Sequence, residues 1–141
     1  MTWTMLSPAP DLERLFPWAE TIRDPEFVFG KWAGGEQRSG VTQLLYYAFS
    51  DDALRFLDDV SAGNWVRPEI SWSGEPEREQ FFRMRDDPAA IEFASVEEIA
   101  LLLTTLVRGD RFNEGMLAKA FEDRMIERIL ARVQSLATNP Q

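Results

Sequence analysis

The densest gathering of chemically capable side chains is the run Arg108-Gly109-Asp110-Arg111-Phe112-Asn113-Glu114-Gly115. Two guanidiniums among two carboxylates have two opposed uses. In the structural one, the acids hold the arginines in bidentate pairs and cap orphan backbone groups at a helix junction. In the other, Arg108 and Arg111 stand beside helix N-terminal amides and bind a phosphate or carboxylate, with Gly109 and Gly115 allowing close backbone approach. Asp110 and Glu114 belong to the same candidate ligand site, with Glu114 as its acid or base. No catalytic set is assigned, because the chain has neither Cys nor His. That removes thiol nucleophiles, thiolate zinc sites, Ser-His-Asp triads and imidazole metal ligands together.

Three further groups invite a functional reading. Arg124, Arg128 and Arg132 stand four apart on one side of a predicted helix, where like charges repel by about 0.2–0.5 kcal/mol per pair unless acids compensate them. Their expected partners are Asp123, Glu127, other acids of the fold, or a second protein. All five Trp lie within the first 72 residues of the chain. Trp32, in a glycine-rich stretch, is the leading candidate for a recognition face, since Trp and Arg are common energetic anchors. The pairs Asp51-Asp52, Asp58-Asp59 and Asp86-Asp87 suggest helix N-termini and solvated faces more than metal ligands, because adjacent helical residues diverge and no calcium loop is present. No metal and no cofactor are expected.

The elements that must position these groups are mostly helical. Leu12, Leu15, Phe16, Ala19 and Ile22 follow helical spacing, and Pro17 should kink or split that helix. Residues 27–40 carry four glycines and are expected to form a loop, followed by an extended segment over 41–47. Ser50 should cap a helix with Ala53, Leu54, Leu57 and Val60 buried, ended by Gly63. Val66, Ile70 and Trp72 alternate with Arg67, Glu69 and Ser71 and predict a half-buried strand, placed at an edge by Pro68. A helix over 75–85 should stop at Pro88. Ser95-Val96-Glu97-Glu98 is a capping box ahead of Ile99, Leu102, Leu103, Leu106 and Val107, predicted to be a central apolar helix. The chain should then turn through 108–112 into a helix ending near Glu122 and a last amphipathic helix bearing Met125, Ile126, Ile129, Leu130 and Val133.

The composition is 45% apolar and 28% charged over 141 residues, globular usage for one domain spanning 1–141. The expected class is α+β, predominantly α, with a central apolar helix, a C-terminal helical hairpin and a little short edge strand. A net charge of -9 repels phosphate backbones and anionic lipid, so direct nucleic-acid or membrane binding is not expected. The imbalance sits before residue 108, with 9 basic against 19 acidic residues, and falls to 6 against 5 after it. Any basic surface is therefore expected in the last third. No stretch approaches the roughly 18 apolar residues of a membrane span, and the first five residues lack the regions of a signal peptide. A cytoplasmic location is expected.

The run Arg108, Asp110, Arg111, Phe112, Glu114, Gly115 and Leu117, followed by Glu122, Ile126, Ile129, Leu130 and Arg132, resembles the C-terminal signature of an uncharacterised bacterial family of small proteins. That signature is R-x-D-R-F-x-E-G-x-L, a glutamate, then I-x-x-I-L-x-R. Trp65 to Trp72 and Asp87-Pro88 stand in the order the family shows, and the likeness covers the chain from about Tyr47 onward. It implies a common fold and no known activity. Where the family pattern suggests a glycine ending the first hairpin helix, this chain has Arg124, so a left-handed cap is not expected there and a tighter turn is.

The leading functional expectation is a non-catalytic interaction or regulatory domain that binds a protein partner, or itself, through Trp32 or through Arg124, Arg128 and Arg132. The alternatives are an anion or nucleotide-type ligand site at Arg108 and Arg111, and an acidic mimic of nucleic acid that occupies a defence or processing enzyme.

Overall fold

The computed structural model describes residues 8–35, 37–38, 41–42 and 45–138, the side chains of 37–38 and 41–42 excepted. Asp11 accepts the Arg14 N–H at 3.1 Å and opens α1 (Leu12–Leu15). Pro17, with no N–H to donate, separates it from α2 (Trp18–Arg23), as its sequence position predicts.

Among the described residues four short strands follow: β1 (Gly30–Ala33), β2 (Gln37–Arg38), β3 (Val41–Thr42) and β4 (Tyr46–Phe49). β1 runs antiparallel to β4 with Trp32 opposite Tyr47, and β2 pairs with β3 inside that connection. The loop expected over 27–40 therefore contains strand, and the glycine signal was misleading for a physical reason. A Cβ on Gly30 would lie 2.5 Å from the Ala48 carbonyl oxygen and 2.6 Å from the Tyr47 ring. Gly30 permits close packing within the sheet. Just before it, buried Phe29 stacks on Phe121 with ring centroids 4.7 Å apart.

Ser50 Oγ accepts the Ala53 N–H at 3.0 Å and starts α3 (Asp51–Ala62), which ends at Gly63. Its buried positions are Ala53, Phe56 and Val60; Leu54, expected inside, is 47% exposed. Phe56 takes its place because Trp18 packs edge-on against it at 5.6 Å.

The strand expected over 66–72 does not form. That stretch is a series of turns, and the alternating pattern fails at Arg67, a nominally outward position that is 3% exposed. Thr104 Oγ1 accepts the Arg67 N–H at 3.0 Å and donates to the Trp65 carbonyl at 3.1 Å. A side chain thus satisfies the backbone groups that a ladder would have used.

α4 (Glu77–Asp86) ends where expected, but Pro88 also begins a helix, α5 (Pro88–Glu92), with Asp87 accepting the Ala89 N–H at 3.2 Å. Proline at a first helical position loses nothing, since that N–H has no intrahelical partner. α6 (Val96–Asp110) opens with both halves of the capping box and is buried without interruption from Ile99 to Leu106. It continues through Arg108, so the turn begins only at Arg111.

α7 (Met116–Glu122) and α8 (Met125–Thr138) form the C-terminal hairpin, and both pack on α6. α8 also meets α1, α2 and α5, burying Ile126, Ile129, Leu130 and Val133 among them. The predominantly helical α+β class is the one observed. The turn between α7 and α8 overturns one expectation: Arg124 itself occupies the left-handed conformation, at φ 64°. No glycine is needed for the chain to make that turn, only tolerance of the strain it places on an L-residue.

Candidate functional site

The turn from α6 to α7 is built by its acids. Asp110 Oδ1 accepts the Gly115 N–H at 3.2 Å and the Leu117 N–H at 3.0 Å, closing the start of α7. Glu114 reaches across 67 residues of sequence, and its Oε2 accepts the Tyr47 N–H at 2.9 Å. That N–H lies on β4 at a residue paired with Trp32, so Glu114 ties the strand pair to the helix junction.

Neither acid pairs with Arg108 or Arg111. Among the described residues those two side chains make no ion pair; Arg108 is half-buried and Arg111 exposed. The amides of Gly115 and Leu117, which an anion beside the arginines would use, are engaged by Asp110. Beyond Arg111, Phe112 is 81% exposed and stacks on Trp72 at 5.8 Å.

Trp32 is placed from two sides. Its ring meets Tyr47 edge-on at 5.3 Å. It also rests on Gly115, whose Cβ, if present, would lie 2.9 Å from Trp32 Cζ2 and 3.0 Å from Cη2. Gly115 is left-handed at φ 102°, so this glycine permits both the turn and the indole's seat. The indole is still 45% exposed.

That exposed ring borders a groove of about 750 Å³ whose lining includes Phe82, Arg85, Met116, Lys119 and Arg128. The groove's carboxylates are Asp86, Glu114, Glu122 and Asp123. Phe82 carries guanidiniums on its ring, with Arg78 at 5.3 Å and Arg85 at 4.7 Å from the centroid. Burial, and then the negative charge of Glu122, push the Tyr47 hydroxyl above the ordinary phenol range.

Of the arginines chosen from sequence, only Arg128 lines the groove. Its Nη1 donates to the Asp123 carbonyl at 3.1 Å. Half-buried Arg132 donates from Nε to the Ala94 carbonyl at 2.8 Å, joining α8 to the end of α5. Arg124 is exposed at the left-handed turn. The acidic partners expected for this stripe are replaced by backbone carbonyl oxygens in the two cases that make hydrogen bonds. Trp32, Glu114 and Arg128 thus come together, whereas Arg108, Arg111, Arg124 and Arg132 lie outside the groove.

Sequence reasoning missed Phe82, Arg85, Met116 and Lys119. Phe82 carried a usable signal, since arginines four before and three after it stack on one ring at helical spacing. Met116 and Lys119 become neighbours of Trp32 only through the strand pairing.

Residues 7–139 match a family of unknown function, DUF6508. The chain belongs to that family. The match spans nearly the whole chain, reaching well before Tyr47, where the resemblance noted in the sequence begins, and including the strand that carries Trp32. No curated protein and no solved structure matches the chain. Among the described residues, no three carboxylates gather as a metal ion would require, and no helix is long and apolar enough to cross a membrane.

Proposed function

We propose that the chain is a single-domain, non-catalytic interaction module of the cytoplasm that receives a segment of a partner protein in the groove beside Trp32. One observation carries this reading: a half-exposed indole, seated by Tyr47 and Gly115, stands over a groove that also presents Phe82, Met116, Arg85 and Arg128. Trp and Arg are the side chains most often found as binding anchors, and anchors work best when their rotamers are already held. The groove's mixed charges favour polar contacts at the margin of an apolar centre. A net charge of -9 opposes a second copy of the same chain at long range, which favours a different protein as occupant.

The test is selection from a displayed peptide library on the wild-type chain, with Trp32→Ala and Arg128→Ala as counter-targets and sedimentation to follow self-association. Peptides that bind wild type and lose about tenfold or more on Trp32→Ala are expected, at least 1.4 kcal/mol. Enriched peptides that bind Trp32→Ala equally well would refute the groove as their site. A chain that instead dimerises through Trp32 would replace the foreign partner with a second copy.

A further inference from the structure

A further cavity, of about 760 Å³, shares no lining residue with the Trp32 groove. Its apolar surface comes from stretches far apart in sequence: Pro8, Pro10 and Leu12 at the chain's entry into α1, Ile70 in the turn-rich segment, and Val96 and Leu101 on α6. Four glutamates line it as well, at positions 69, 77, 97 and 98. Two are committed within the fold. Glu98 accepts the Ser95 N–H at 2.9 Å and Gln80 Nε2 at 3.0 Å, and Glu69 accepts Arg67 Nε at 2.8 Å. Glu77 and Glu97, in the first turns of α4 and α6, make no ion pair among the described residues.

Among the described residues the cavity's one lining cation is Arg67, which is 3% exposed. Besides Glu69 it donates to the Pro8 carbonyl at 2.7 Å and the Asn64 carbonyl at 3.2 Å. Its charge is neutralised in place, and the lining as a whole is left strongly negative around an apolar interior.

We propose that this cavity is a docking groove for a cationic amphipathic segment of a partner protein, whose apolar side chains enter between α1 and α6 while its lysines or arginines meet Glu77 and Glu97. The apolar walls are unsuited to a small hydrated ion, which would lose its water without gaining enough ligands. A cation driven deep into the cavity would meet buried Arg67, so the positive groups must stay at the opening. Glu77 and Glu97 stand on different helices and call for cations spaced along a chain rather than a single ammonium head. Apolar residues in a groove with charges along its margin is the established geometry of helix-in-groove recognition. The chain's net negative charge steers such a segment inward.

The test uses the full chain and a fluorescein-labelled amphipathic helical peptide of Leu and Lys, about 14 residues long so as to span the groove. Fluorescence anisotropy is expected to show binding that weakens about tenfold in the Glu77→Gln, Glu97→Gln double variant and falls with added salt. The pair Asp52→Asn with Glu92→Gln, neither of which lines the cavity, should change affinity less than about twofold, and a peptide with Ser for Leu should bind weakly in every case. Trp32→Ala should leave the binding intact, separating this groove from the one above. Circular dichroism of each variant confirms that it is folded. Equal weakening by the lining pair and the non-lining pair would reduce the effect to diffuse charge and overturn the proposal. So would equal displacement by hexylamine, which would make the occupant a small amine, or no binding of the Leu/Lys peptide at all.

Discussion

Gly115→Ala tests the link between the α6–α7 turn and the recognition indole. At φ 102° an L side chain is strained by about 1–2 kcal/mol whatever surrounds it. In addition, the new Cβ would fall 2.9 and 3.0 Å from two atoms of a rigid indole, so Trp32 must lift away. A ring about half buried covers roughly 100 Å², worth about 2.5 kcal/mol if wholly lost and about half that if the ring settles nearby. The expected cost is therefore about 2–4 kcal/mol in the wild-type background and about 1–2 kcal/mol in Trp32→Ala, where only backbone strain remains. Urea unfolding followed by far-ultraviolet circular dichroism measures all four corners of the cycle, with a coupling of about 1–2 kcal/mol expected. A coupling below about 0.5 kcal/mol would mean that Trp32 does not rest on Gly115. A wild-type cost below the same figure would refute the left-handed turn as well.

Three other substitutions have defined outcomes. Arg124→Gly should stabilise the chain by about 0.5–1 kcal/mol, because a glycine at φ 64° relieves the αL strain, and a raised urea midpoint at unchanged slope would show it. Leu102→Ala, fully buried on α6, should cost about 2–5 kcal/mol; a loss below about 1 kcal/mol would place that face of the helix outside the core. Tyr47 titrates at higher pH folded than unfolded, so its contribution to stability is intact below the usual phenol value near 10 and is lost as pH rises through the folded value. Tyr47→Phe should accordingly flatten the alkaline fall in melting temperature while changing little at neutral pH, and an unaltered alkaline limb would contradict the assignment.

Local chemistry decided which elements were legible in the sequence. Ser50 and Ser95 are read correctly because a cap needs only the next three residues, and Pro17 splits its helix because the missing N–H is a property of that residue alone. Errors arise where a distant neighbour sets the role of a residue. Gly30 looks like loop punctuation until the Tyr47 ring is laid over it, and Arg67 looks exposed until Thr104 and the Pro8 carbonyl are brought beside it. The candidate site divides in the same way. Trp32 and Arg128 stood out by residue type, but the groove between them exists only because β1 pairs with β4 and so carries the indole onto Gly115. Nothing along the chain places Trp32 beside Lys119.

Ion pairs at helical spacing do form at Asp11–Arg14, Asp52–Arg55, Glu75–Arg78 and Lys119–Asp123, but the charges of the α6–α7 turn and of the Arg124, Arg128, Arg132 stripe follow another rule. Asp11, Asp87, Glu98, Asp110 and Glu114 all accept backbone N–H groups, and four of these five contacts close the start of a helix. Arg128 and Arg132 do the reverse, donating to the carbonyls of Asp123 and Ala94 just beyond the ends of α7 and α5. Acids at helix starts and arginines at helix ends complement the helix dipole and satisfy the backbone groups that each terminus leaves over. In the eight helices of the described residues, several of them only one or two turns long, such termini are a large share of the structure. Carboxylates committed to them are already partnered by protein, so a surplus of acids in the sequence overstates the acidity that the surface offers to another molecule. This weakens the case for a nucleic-acid mimic, which needs carboxylates free along an open face. It also explains how Arg124, Arg128 and Arg132 tolerate one another, because two of the three guanidiniums are held by carbonyl oxygens that a search for acidic partners passes over.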